Sequence, residues 1–210
     1  MIKNNKIYKV NMKKLILKGF CLFFILLNTN ITKAEDGYMY GGLKIFNYGI
    51  ETSDLQVINT SLVNLGFTSS TSSTDNSGIG VDLGFGLNVS ETLSAEFGYV
   101  NYGTLEINTT LTGPSETVKT EIDGDGFTGA AVLKLGEEND HGFIKGGFHS
   151  WSFTGTVTSS LGSSSEPLGT GTDPFFGVGF KSSGWYGSYD HYVIDDGSIG
   201  SYSFGYSHSF

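Results

Sequence analysis

The chain contains no arginine; all 12 basic residues are lysine. Its single cysteine, Cys21, lies in the N-terminal head. Proline occurs only three times, and charged residues make up 16% of the chain. Soluble domains carry roughly 25% charged residues, so an ordinary soluble surface is a poor fit. Disorder is also a poor fit, because disordered chains lack aromatics and here aromatics reach 14%. No apolar run approaches the roughly 20 residues of a spanning helix. The longest, Gly19 to Leu27, has nine.

What is present is unevenly distributed. Seven lysines lie in the first 34 residues, and all 21 acidic residues follow. The remaining body has five lysines and a net charge of −16. Such a body repels nucleic acid, whose binding needs cations against phosphate.

The basic head followed by an apolar run reads as an export signal. Thr32-Lys33-Ala34 suits cleavage after Ala34, which gives a signal peptide over 1–34 and a mature body over 35–210. Met12 is an alternative start, since MKKLILKGF already forms a complete head. Cys21 sits too early, behind the bulky Phe20, for lipoprotein processing. The mature body enters an oxidising compartment without a cysteine for a disulfide.

Period-two alternation recurs through the body, the mark of strands with two unlike faces. In 78–88, Ile79, Val81, Leu83, Phe85 and Leu87 alternate with glycine, Asp82 and Asn88. In 201–210, Tyr202, Phe204, Tyr206, His208 and Phe210 alternate with serine and Gly205. A large apolar face opposite a small one fits a narrow closed barrel with its apolar face turned to lipid. Eight segments follow: near 37–48, 78–88, 93–103, 126–136, 141–153, 174–182, 185–194 and 199–210. Three connections are short, at 89–92, 136–140 and 183–184. Those at 49–77, 104–125 and 154–173 are long, with a short fourth at 195–198. The expected fold is all-β: an eight-stranded antiparallel up-and-down transmembrane barrel. Short turns and both termini would be periplasmic, and long loops extracellular. The stretch 68–78 (TSSTSSTDNSG) reads as a solvated, mobile loop, and 105–122 as a projecting hairpin.

Four segments carry a resemblance: Tyr40 to Lys44, Leu87 to Tyr102, Ala131 to Gly136 followed by Gly142 to Trp151, and Ser201 to Phe210. In order and spacing they resemble the eight-stranded outer-membrane barrel family of OmpA-transmembrane-domain and OmpX-like proteins. The resemblance implies residence in the outer membrane, with lipid and lipopolysaccharide as surroundings. It also implies a C-terminal strand, with Tyr206, His208 and Phe210, read by the outer-membrane assembly machinery. Because the chain stops at Phe210, a barrel-only, monomeric member is expected.

The alternation turns Glu96, Lys134 and Lys145 inward near the periplasmic end, with Asp82 higher up. A charge in a narrow lumen is costly unless paired, so Glu96 is expected to pair with Lys134 or Lys145. Where the family's seventh strand often carries Arg and Glu, this chain has Tyr186 and Ser188, which favours a structural network over a charge gate.

His149-Ser150-Trp151-Ser152 and Asp190-His191-Tyr192 are the candidate catalytic groups. Neither reproduces the His-x-Ser-Asn pattern of lipid A deacylases. His149 is expected in the lumen, and His191 in an interface belt with Tyr189 and Tyr192. Asp123-Gly124-Asp125-Gly126 lacks the rest of a calcium loop. No enzyme activity, cofactor or metal site is expected. The function expected is structural or surface-interactive, with acidic Ser/Thr-rich loops presented to an extracellular ligand. A narrow channel and a lipid A-modifying enzyme are the alternatives.

Overall fold

The computed structural model describes residues 37–64, 69–112, 115–136, 140–195 and 197–210. The export signal expected over 1–34 lies outside them. Among the described residues there are nine strands and one helix: β1 (Gly37–Asn47), α1 (Thr52–Asn64), β2 (Ser69–Asp75), β3 (Ser77–Asn88), β4 (Leu93–Thr112), β5 (Glu116–Gly136), β6 (Asp140–Ser159), β7 (Gly162–Ser182), β8 (Trp185–Ile194) and β9 (Gly197–Ser209). Every pairing between strands is antiparallel. Eight strands close a ring in the order β1-β3-β4-β5-β6-β7-β8-β9, and β9 returns to β1 with Tyr38 opposite Ser209. The eight expected segments supply those eight strands.

The outward face is apolar, as the alternation requires. Ile79, Leu83, Phe127, Phe180 and Phe204 are all more than half exposed. On β3 this face runs from Leu87 to Ile79, about 26 Å along a strand, or about 20 Å of height at a strand tilt near 40°. Aromatic pairs mark both rims. Trp185 stacks on Phe204 at 5.3 Å at the short-turn rim. Tyr99 meets Phe127 edge-on at 5.7 Å at the other. These are the girdles of a lipid-spanning barrel.

The interior holds large aromatic rings besides the small residues and charges expected there. Tyr38, Phe46, Tyr102, Trp151, Phe175, Tyr186 and Tyr192 are all buried. The inward glycines are the counterpart of these rings: a Cβ on Gly84 would sit 2.5 Å from the Tyr40 ring, and one on Gly42 would sit 2.5 Å from the Tyr186 hydroxyl. An eight-stranded lumen is only wide enough for its own side chains, so a large ring on one strand requires an absent side chain on the next.

Four strands run past the lipid band. β4, β5, β6 and β7 are 20 or 21 residues long. The hairpin expected over 105–122 is formed as β4 paired with β5, and 154–173, expected as a long loop, is also mostly paired strand. β6 and β7 stay paired to Ser159 opposite Gly162, with a register shift between Phe153 and Thr154. On the β4 part of this projection the polarity of the two faces inverts. Leu105, Ile107 and Leu111 are buried inward, while Glu106, Asn108 and Thr110 face out. A bulge between Asn101 and Gly103 shifts the register of β4 at the changeover. Gly103 takes φ +74° there.

Two elements correct the expected 49–77 loop. β2 pairs with β4 from Asp75 opposite Glu106 to Ser69 opposite Thr112. Its hydroxyls bond locally: Ser72 Oγ lies 2.8 Å from both Thr109 Oγ1 and Asn59 Oδ1. β-branched threonine also suits a strand. Helix α1 is closed at its start by Asp54, whose carboxylate accepts from the Glu51 amide at 2.9 Å, one half of a capping box. Leu55 packs toward the core while Val57 and Val63 stay exposed.

Candidate functional site: the charged lumen and the projecting arms

Three layers fill the barrel. The middle layer is an ion cluster supplied by five strands. β1 supplies Lys44, β3 Asp82, β6 Lys145, β8 Ser188 and Asp190, and β9 Ser203. The Lys44 ammonium binds the Asp190 carboxylate directly and donates to Ser203 Oγ at 2.7 Å. It lies 3.7 Å from Asp82. Lys145 reaches the other Asp190 oxygen at 2.9 Å. The Tyr186 hydroxyl donates to Asp82 at 3.1 Å. Asp190 is fully buried, and so is Lys44 at 1% exposure. Such a cluster is tolerable only because each charge has an opposite neighbour and a hydrogen bond.

Toward the short turns lies a cavity of about 290 Å³, lined among others by Tyr38, Glu96, Lys134, Lys145, Lys181 and Phe210. Glu96 accepts a 2.7 Å bond from the Tyr38 hydroxyl. Lys134 donates to Asn88 Oδ1 at 2.7 Å, and Lys181 to Ser207 Oγ at 2.8 Å. Both ammonium groups also approach the Tyr38 ring, at 5.9 and 5.1 Å from its centre.

Toward the projecting arms the lumen closes. Phe46, Val100, Tyr102 and Tyr192 are at most 2% exposed. Phe175 stacks on Tyr192 at 5.3 Å. His149 is locked in this layer, with Nδ1 2.5 Å from the Tyr102 hydroxyl and Nε2 2.7 Å from the Val193 carbonyl oxygen. With Nε2 donating to that carbonyl, Nδ1 accepts from the tyrosine. A void of about 10 Å³ lies beside the ion cluster, reaching from Lys44, Asp82 and Lys145 to Val100, Phe175 and Tyr192.

The sequence-derived charge network therefore divides. Asp82 and Lys145 join the ion cluster, while Glu96 and Lys134 line the cavity below it. The pairing expected for Glu96 is redistributed: the Lys145 ammonium turns to Asp190, and a phenol serves Glu96. Lys44 and Asp190 were missed as network members. Each sits on the inward parity of its strand, which is the signal for both, while the sequence offers Asp190 only within the Asp190-His191-Tyr192 catalytic candidate. Tyr192, expected in an interface belt, is buried in the aromatic layer, whereas His191 packs on Phe176 at 4.9 Å. Ser150 and Ser152 face away from the lumen, opposite in parity to His149. Phe210 is 65% exposed, and its amide donates to the Gly37 carbonyl oxygen at 3.0 Å, adding a last rung to the β9–β1 seam. Tyr206 and His208 are exposed on the same outward face of β9.

No family model matches the chain, and no curated protein does. Solved structures do. Ail, the attachment invasion locus protein of Yersinia pestis, superposes with a TM-score of 0.50 at 12% identity, over 83% of this chain and 98% of that one. Ail has also been solved with the heparin analogue sucrose octasulfate. The outer membrane protein OprG from Pseudomonas aeruginosa superposes with a TM-score of 0.52 at 8% identity, over 83% and 95% of the two chains. Residues 37–210 thus have the fold of the small outer-membrane β-barrels.

Proposed function

We propose that this chain is an exported outer-membrane barrel that holds a rigid, acidic strand platform outside the cell for contact with an extracellular ligand. The observation carrying this reading is the change of polarity along β4 and β5. Below the bulge the outward face is apolar and suits lipid. Above it the outward face is Glu106, Lys119, Glu121, Asp123 and Asp125, which suits water or a polar partner. Strands continued past the band, with their own apolar inner side, make a platform more rigid than a loop.

Charge narrows the partner. On the arms, Lys119 is already paired with Glu106 at 2.8 Å and Glu121 at 2.9 Å. A sulfated glycan of the kind seen with Ail would meet mostly like charge here. A neutral or cationic ligand is favoured. Cells displaying the full chain should retain a basic protein such as cytochrome c in a salt-sensitive way, and should not retain heparin. Heparin retention, or equal cytochrome c binding after the arms are cut back, would overturn this reading.

The closed aromatic layer argues against a channel, and refolded protein should be silent in planar bilayers. The contacts of His149, a phenol and a backbone carbonyl, leave it without a serine nucleophile and argue against lipid A chemistry. Lipid A should keep its acyl pattern whether or not the chain is expressed.

A further inference from the structure

The middle layer of the lumen holds more than opposite charges. Lys44 Nζ meets Asp190 Oδ2 in direct contact, although the two residues lie 146 positions apart in the chain. Both side chains are buried. An amine shielded from water and held against a carboxyl is the pair of groups from which an amide forms. Each atom of that reaction has a suitable neighbour. Oδ2, the oxygen to be lost, accepts from Ser188 Oγ at 3.3 Å and from Ser203 Oγ at 3.4 Å. Oδ1, the oxygen to be kept, faces the Lys145 ammonium at 2.9 Å, the place of a cation that holds an oxyanion. Asp82 Oδ2 stands 3.7 Å from Lys44 Nζ, while Tyr186 donates to the other Asp82 oxygen. Charge favours the same product. Burying two ions is costly, and an amide replaces one cation and one anion with a neutral group. Lys145 and Asp82 then remain, one of each sign. The void of about 10 Å³ beside Lys44, Asp82 and Lys145 is about the space that one water needs. Asp82 and Lys145 also line the cavity of about 290 Å³ toward the short turns, which gives a released water its way out.

We propose that Lys44 and Asp190 become joined by an intramolecular isopeptide bond once the barrel has closed. One proton passes from Nζ to Asp190 Oδ2, and the freed amine attacks the Asp190 carboxyl carbon. As the Nζ–Cγ bond forms, Oδ1 carries the negative charge against Lys145, and a second proton moves from Nζ to Asp82. Collapse breaks the Cγ–Oδ2 bond, and Asp82 gives its proton to the departing oxygen, which leaves as water. Of the three protons that start on Nζ, one stays in the amide and two leave in the water; nothing is oxidised or reduced. The bond spans β9, because Lys44 on β1 pairs with Ser203, and Ser203 pairs with Ser188 on β8. It clasps the closing strand between its two neighbours, and its groups meet only after the ring is shut. The proposal does not depend on what the projecting arms bind.

The test follows the full chain refolded from urea into detergent micelles, sampled over time by intact mass and, after digestion, by fragmentation of its peptides. The expected product is lighter by one water and yields a branched peptide joining the Lys44 and Asp190 segments. Asp36-Gly37, Asp123-Gly124, Asp125-Gly126 and Asp196-Gly197 can also lose water by cyclising, so the branched peptide, and not the mass alone, decides. Lys44→Gln should give no branched peptide. Asp82→Asn should form it at least about tenfold more slowly, equivalent to about 1.4 kcal/mol in the barrier, while Lys119→Gln on the arms should form it at the parent's rate. Absence of the branched peptide from the folded parent, water loss confined to the Asp-Gly steps, or an unchanged rate in Asp82→Asn would overturn the proposal. If a lumen variant fails to fold, judged by loss of its gel shift on boiling, the branched peptide of the parent protein decides.

Discussion

Asp190 is bound by two lysines, Lys44 on β1 and Lys145 on β6, and is fully buried among them. Removing it leaves two buried ammonium groups facing each other, a change that costs about 3–5 kcal/mol when a buried pair is broken from one side. Asp190→Ala should lower the urea-unfolding free energy by that order, and a change below 1 kcal/mol would show that the cluster is better solvated than its burial implies. Substituting the partner cation is instructive in the other direction. Lys145→Met keeps the stem and leaves Lys44 to serve Asp190, so its cost should be clearly smaller than that of Asp190→Ala in the same titration. Glycine at position 84 has a steric logic. A Cβ there meets the Phe97 carbonyl oxygen and the Tyr40 ring at 2.5 Å, and the carbonyl belongs to a paired strand that cannot swing away. Gly84→Ala should therefore be destabilising by about 1–3 kcal/mol, as overpacking is elsewhere, although alanine is otherwise the better residue for a folded backbone.

At the scale of elements, the β4 bulge joins the membrane part to the projecting part. Gly103 there has φ +74°, and a Cβ would lie 2.7 Å from the Ile79 carbonyl oxygen. Gly103→Ala should cost about 1–3 kcal/mol, the usual strain of a side chain held in that region, and should raise amide exchange on both sides of the bulge. The arm above it has a pH dependence of its own. Hydrogen bonds from Lys119 and Asn108 hold the Glu106 carboxyl below its ordinary 4.5, and Lys119 is raised by the same contact. A carboxyl depressed on folding adds stability above its unfolded value and loses it as pH falls through the folded one. The arm's inter-strand amides should thus lose protection below about pH 4.5 relative to Lys119→Gln, which lacks the contact; parallel behaviour of the two proteins would show the ion pairs to be inert. Exposed pairs are screened by salt, so the difference should fade in molar NaCl. The arms also show which local features the sequence disclosed. Leu105, Ile107 and Leu111 announced an alternating hairpin, and Val118 to Ile122 its return. Ser69 to Asp75 did not read as a strand because its stabilising partners are hydroxyls and β4's edge, which have no hydrophobic signature. Helix α1 is hidden for a related reason: it buries no residue fully, half-covers Leu55 and leaves Val57 and Val63 exposed, so it lacks an apolar stripe.

At the scale of the molecule, lipid outside and a narrow lumen inside impose opposite demands on alternate residues, which is why eight strands could be read from parity alone. The same parity placed Glu96, Lys134, Lys145 and Asp82 inside, but partner choice depends on strand stagger around the ring, and parity contains no stagger. That is why Asp190, rather than Glu96, holds Lys145. The ring also separates what is needed for insertion from what is not. Closure uses β4 only from Ser94 to Asn101 against β3, and β9 from Gly200 to Ser209 against β1. Above the bulge, β4 pairs with β2 and β5 but adds nothing to closure. Replacing 105–121 and 155–167 with short turns should leave a barrel that still shifts on boiling in a gel, because the lipid band, the ion cluster and the β9–β1 seam remain. Deleting 201–210 should abolish the shift, because β1 and β8 would then expose unpaired backbone to lipid, where each unsatisfied group costs several kcal/mol. If the arm-cut protein loses the shift while the seam-cut protein keeps it, the arms rather than the seam hold the barrel together, and the division of labour argued for the two halves is wrong.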